Sequence, residues 1–115
     1  MKQVIAVDFD GTIHNSKSST GCVIVGQAFG APFDGALEAL SRLRMRGFKI
    51  IVFSVRGLDP KLKHWMDIYQ LPYDEITNIK PNADVFIDDC ALRFEGSWED
   101  TMKKVLTLIH DDALR

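Results

Sequence analysis

The chain has 115 residues, 46% of them hydrophobic and 26% charged, with a formal net charge of −2. That is the make-up of one globular domain with a core of its own, and it gives no electrostatic ground for binding nucleic acid or a membrane surface. No segment approaches the roughly 18 apolar residues that cross a bilayer, and the first apolar run follows Met1-Lys2-Gln3 at once, which predicts a chain without a signal peptide.

Val4-Ile5-Ala6-Val7 is an unbroken apolar run, the pattern of a strand buried on both faces of a parallel sheet. It leads straight into Asp8-Phe9-Asp10-Gly11-Thr12. Ligands of open α/β sheets bind beyond the carboxyl ends of the strands, which is where Asp8 and Asp10 fall. Side chains two apart on extended backbone project to one side, roughly 6.5 Å from each other. Two acids aimed at one point are costly unless something positive lies between them. The stretch therefore asks for a cation, a phosphate-handling reaction, or both. Gly11 permits a sharp turn after it.

Ser16-Lys17-Ser18-Ser19-Thr20 reads as a polar surface loop running into a short strand at Cys22–Val25. The whole segment 13–33 is the size of a hairpin, a loop that can serve as a flap over the site. His14 reads as a loop histidine rather than a ligand, and His64 and His110 lie on predicted helices with no signal of their own. Cys22 and Cys90 have neither metal nor redox spacing, so both are expected as free thiols in a reducing cytoplasm.

Asp34 is the expected N-cap of a helix carrying Leu37, Leu40 and Leu43, ended by Gly47. Arg42, Arg44 and Arg46 lie mostly off that apolar line and read as a solvated face. Phe48–Phe53 is the second buried strand and delivers Ser54. Asp59-Pro60 opens the next helix as N-cap and first-turn proline, with Leu62, Trp65, Met66 and Tyr69 as its apolar stripe. A short third strand is expected over 75–79, before Lys80-Pro81, and a fourth over Ala83–Ile87, before Asp88-Asp89. Ser97, with Asp100 three residues on, starts a last helix whose inner face is Met102, Val105, Leu106 and Ile109. Strands alternating with helices predict an α/β fold, a doubly wound, Rossmann-like, mostly parallel sheet with helices on both faces.

Four polar clusters then coincide with four strand ends: Asp8 with Asp10, Ser54 with Arg56, Lys80, and Asp88 with Asp89. Aspartates after strands are common turn residues, but four clusters holding acids, a hydroxyl and a lysine are a stronger signal. In this order they resemble the haloacid dehalogenase (HAD) superfamily of phosphohydrolases and phosphotransferases. Asp8-Phe9-Asp10-Gly11-Thr12 after four apolar residues matches its first motif, hhhhDxDGT, without a departure. Ser54 resembles the Ser/Thr of the second motif, Lys80 the third, and Asp88-Asp89 the acidic fourth. The likeness runs from Val4 to Asp89.

The resemblance implies a single core domain, residues 1–115, with strand order 4-1-2-3 and the 13–33 flap in place of a cap domain. It implies a Mg²⁺-dependent phosphatase that cleaves phosphate monoesters through an aspartyl-phosphate. Asp8 would be the nucleophile and Asp10 the acid and base. Asp8, Asp10 through its backbone carbonyl, Asp88 and Asp89 would hold the metal, with Asp88 and Asp89 open as to which binds directly. Ser54 and Lys80 would hold the phosphoryl oxygens, and Arg56 would add a bidentate phosphate contact. Lys61 and Lys63, rivals for the lysine role, sit in the first turns of a helix, a poor place from which to reach the site.

A capless site implies either a large phosphorylated substrate, such as the end of a macromolecule, or a second subunit of the same chain covering it. Charge does not support nucleic acid as that substrate. The alternatives are a receiver-like phospho-accepting switch and a non-catalytic HAD-like binding domain. Receivers place the acidic pair on the first strand and the phosphorylated aspartate on the third, the reverse of the order here.

Overall fold

The computed structural model describes residues 2–15 and 30–109. Within them the elements are β1 (Val4–Val7), α1 (Ala36–Met45), β2 (Lys49–Phe53), α2 (Pro60–Ile68), β3 (Glu75–Thr77), β4 (Val85–Ile87) and α3 (Trp98–Ile109). The strand expected at 22–25, and most of the 13–33 segment, lie outside the described residues. The four strands form one all-parallel sheet in the order β3-β2-β1-β4, which from the opposite edge reads β4-β1-β2-β3. β1 is therefore paired on both sides. Ile5 is in register with Ile50 and Val85, and Val7 with Val52 and Ile87.

The core follows from the two-residue alternation of the strands. Ile5 and Val7 on β1, Ile50 and Val52 on β2, and Phe9 just past β1 belong to one buried cluster. Both of the first two helices feed it: α1 supplies Leu40 with Leu43 partly buried, and α2 supplies Leu62, Trp65 and Met66. Each such side chain contributes about 1.5–3 kcal/mol on burial. Leu37 and Tyr69, expected on the same stripes, are instead exposed. Arg42 lies on the solvated side as expected, paired with Glu38 one helical turn away.

Local chemistry sets the element ends. The Asp59 carboxylate accepts the N–H of Lys61 at 2.9 Å, with Pro60 in the first turn. Ser97 Oγ accepts the N–H of Asp100 at 3.2 Å and so starts α3. For α1 the expected cap is corrected: Gly35, not Asp34, precedes Ala36, and no side chain caps it. Its φ of 86° favours glycine over aspartate. β4 begins only at Val85 because Asp84 accepts the Val4 N–H on a side-chain oxygen at 2.8 Å, taking the place of a backbone partner.

The second sheet face departs from expectation. No residue of α3 is buried, and Met102 and Ile109 are 52% and 61% exposed. Val105 and Leu106 are half-buried. All three residues of β4 are exposed as well. The predicted inner face of α3 is thus only half-buried at Val105 and Leu106, although Ala6 and Ile51 on the second face of the sheet are buried, and the doubly wound arrangement is not established among the described residues. Periodicity tells which stripe of a helix is apolar but not what that stripe lies against.

Candidate functional site

The end of β1 builds the site. The Asp8 N–H donates to the carbonyl of Ile87 at 2.9 Å, carrying the ladder one residue past the strand. The chain then folds back on Phe9, whose carbonyl accepts from Ile13 at 3.0 Å and His14 at 2.9 Å. Gly11 sits in this turn at φ 82°, where glycine alone is unstrained. Phe9 is fully buried, so the core anchors the segment between the two aspartates.

Asp8 lines a cleft of about 680 Å³ together with Lys80, Asp88, Arg93, Phe53 and Phe86. Its carboxyl is pushed up from the ordinary 3.8 to about 7. Burial is the main cause, the charges of Asp88, Asp89 and Asp10 add to it, and a hydrogen bond from the Phe9 backbone opposes it. Acids from both ends of the chain therefore act on Asp8, and without a neutralising charge it favours the proton. Lys80 is exposed, with Nζ 5.1 Å from the centre of the Phe86 ring.

Asp88 Oδ1 accepts the N–H of Cys90 at 2.8 Å. Asp89 Oδ2 is buried and has no hydrogen-bond partner among the described residues. Ligand atoms of Asp88, Asp89 and Cys90 lie within 4.8 Å of one another. Cys90 is disulfide-bonded, which corrects the expectation of a free thiol, while Cys22 lies outside the described residues. With that sulfur committed, the carboxylates are what remain to hold an ion. An orphaned buried carboxylate oxygen beside a carboxyl that favours its proton fits a hard, oxygen-seeking cation such as Mg²⁺.

Asp10 faces a different set of partners. It is 6% exposed, and Arg56 grips both its oxygens, Nε donating to Oδ2 at 2.8 Å and Nη2 to Oδ1. Ser54, 4% exposed, directs that arginine: its Oγ accepts the Arg56 N–H at 3.1 Å and its carbonyl accepts the Gly57 N–H at 2.8 Å. Gly57 lies so close to β3 that a Cβ would run into the backbone of Thr77 and Asn78. Asp10, Ser54 and Arg56 do not line the cleft that holds Asp8, Lys80 and Asp88. The fork of Arg56, expected on a phosphate, is on Asp10.

His14 is the residue the sequence reading passed over. It is fully buried, stacked on Phe9 with ring centres 5.3 Å apart, and its Nδ1 lies 3.2 Å from Asp10 Oδ1. A histidine four residues beyond an acid in a tight turn was the available signal, weak because nothing in the pattern shows burial. Lys63 pairs with Asp67 at 2.8 Å and does not line the cleft that holds Asp8 and Lys80.

Compared with protein-family models, with curated proteins and with solved structures, the chain has no match. No described helix is long and apolar enough to cross a membrane.

Proposed function

We propose that the chain is a Mg²⁺-dependent phosphohydrolase of the HAD type, acting on phosphate monoesters through an aspartyl-phosphate. The proposal includes a doubly wound, Rossmann-like, capless core. The observation that carries it is Asp8 at the carboxyl edge of a parallel sheet, pushed up to about 7 in part by Asp88 and Asp89, in one cleft with Lys80.

Asp8, Asp88, Asp89 and the backbone carbonyl of Asp10 would hold the ion. When bound, it supplies the positive charge that lets Asp8 ionise and that screens the phosphoryl oxygens. An Asp8 oxygen attacks phosphorus as the ester P–O bond breaks, and Asp10 gives a proton to the departing alkoxide, which requires one of its oxygens to release its Arg56 donor and carry that proton beforehand. Asp10 then takes a proton from water, which attacks the same phosphorus and frees Asp8 and inorganic phosphate. Lys80 would hold phosphoryl oxygens, and Ser54, buried beside Arg56 outside that cleft, would reach them only if the two pockets join around the substrate. Arg56 keeps Asp10 oriented, and a direct phosphate contact from it requires that fork to be shared.

The exposed β4 and α3 support a site covered by a second copy of the chain or by a large phosphorylated substrate. The cytoplasmic location expected from free thiols loses that support with the disulfide at Cys90, a bond rare in reducing compartments.

Steady release of phosphate from p-nitrophenyl phosphate with Mg²⁺, stopped by EDTA and absent in Asp8→Asn, is the expected result. Turnover that survives Asp8→Asn or EDTA overturns the reading. One long-lived phosphoryl group per chain favours a receiver-like switch instead.

A further inference from the structure

His14 does more than fill space at the base of the 13–33 segment. Its ring completes a three-way aromatic cluster with Phe9, stacked on it at 12°, and Trp65, edge-on to it at 80°, whose own ring centres are 5.1 Å apart, and this packing restricts the imidazole. The two ring nitrogens are spoken for in opposite senses. The Gly30 N–H donates to Nε2, which fixes Nε2 as the acceptor and leaves the ring proton of the neutral imidazole on Nδ1. Nδ1 therefore donates to Asp10 Oδ1. Gly30 is held in turn from the other side, its carbonyl accepting the Trp65 Nε1–H at 2.7 Å. A polar chain runs from α2 through Gly30 and His14 to Asp10.

A histidine needed only for packing would not have its tautomer dictated by one backbone amide and its proton aimed at a carboxylate. Arg56 alone already gives Asp10 a charge partner. What His14 adds is direction: with Arg56 holding both oxygens from one side, a donor at Oδ1 from β1's own turn sets the carboxylate plane. We infer that His14 is a positioning residue for Asp10, the group assigned above to proton transfer. This rests on the phosphohydrolase reading.

Two substitutions separate the two hydrogen bonds. His14→Asn keeps an N–H donor near the Nδ1 position and loses the acceptor toward Gly30; His14→Gln keeps a polar group near Nε2 and loses the donor toward Asp10. Steady-state rates are measured on p-nitrophenyl phosphate, whose leaving group needs little protonation, and on phenyl and alkyl phosphates, whose leaving groups need much. For His14→Gln, kcat should fall about tenfold or more on the alkyl ester and less than about threefold on the nitrophenyl ester, with KM nearly unchanged. His14→Asn should retain the wild-type dependence on leaving group. Losses equal across all esters, or losses that follow thermal stability alone, overturn the inference and leave the phosphohydrolase reading standing. Absence of turnover in the wild-type chain overturns both. Independently of activity, ¹⁵N spectra of the His14 imidazole should show a protonated Nδ1 and a bare Nε2; the opposite tautomer overturns the inference.

Discussion

Arg56 and Asp10, 46 residues apart with α1 and β2 between them, meet as a two-pronged pair in which both side chains are about nine-tenths buried. Such a pair is held by geometry more than by charge, since removing one partner strands the other in a place where water does not compensate it. Arg56→Ala should therefore destabilise the fold by about 3 kcal/mol, and Arg56→Lys by less, because a single ammonium cannot occupy both oxygens. A double-mutant cycle with Asp10→Asn in urea denaturation should give a coupling of about 2 kcal/mol. Additive effects would remove the pair from the account of stability.

Asp8 makes a prediction about pH. Its carboxyl titrates near 3.8 when the chain is unfolded and near 7 when folded. Between those values the folded protein holds a proton that the unfolded chain has lost, so the contribution of Asp8 to stability is full below pH about 4 and falls as pH rises toward 7. Allowing for the exposed part of the group, the loss is about 1–2 kcal/mol. Melting temperatures from pH 4 to 8 in EDTA should show this slope, and Asp8→Asn should flatten it while abolishing phosphate release.

Binding of Mg²⁺ should expel that proton. Calorimetric titrations near pH 6.5, in buffers of different ionisation enthalpy, should record proton release on adding the ion and none in Asp8→Asn. Asp89→Asn should weaken binding about tenfold or more, because its buried Oδ2 has no other partner among the described residues. Unchanged affinity in Asp89→Asn would leave Asp88 as the metal ligand of the pair.

Two glycines should respond differently to alanine. At Gly57 the new methyl meets fixed backbone of Thr77 and Asn78, so Gly57→Ala should cost about 2–3 kcal/mol and disturb the turn that presents Arg56. At Gly47, where φ is 91° and nothing lies near, the cost is only that of a left-handed alanine, about 1 kcal/mol. Comparable losses in thermal denaturation would argue against the close approach of Gly57 to β3.

The parts legible in the sequence were those with a local cause. β1, the caps at Asp59 and Ser97, the turn at Gly11 and the stripe Leu62-Trp65-Met66 all follow from neighbours a few residues away. The parts that were not legible depend on distant partners. Nothing around Asp84 shows that its side chain replaces a ladder bond at Val4, which is why β4 starts late. Nothing around Arg56 shows that its fork lands on Asp10. Burial of His14 depends on Phe9 and Trp65 converging from different elements. The apolar stripe of α3 is real, but its neighbour is not written in its own residues.

β1 has a hydrogen-bonded partner along each edge, and the amide of Asp8 is tied to Ile87 as well. Asp8 is thus mounted like an anvil, on backbone that can shift only if the centre of the sheet opens. In the proposed reaction, any adjustment to the phosphoryl group therefore falls to the exposed arm around Asp88 and Arg93 and not to the strand that carries Asp8.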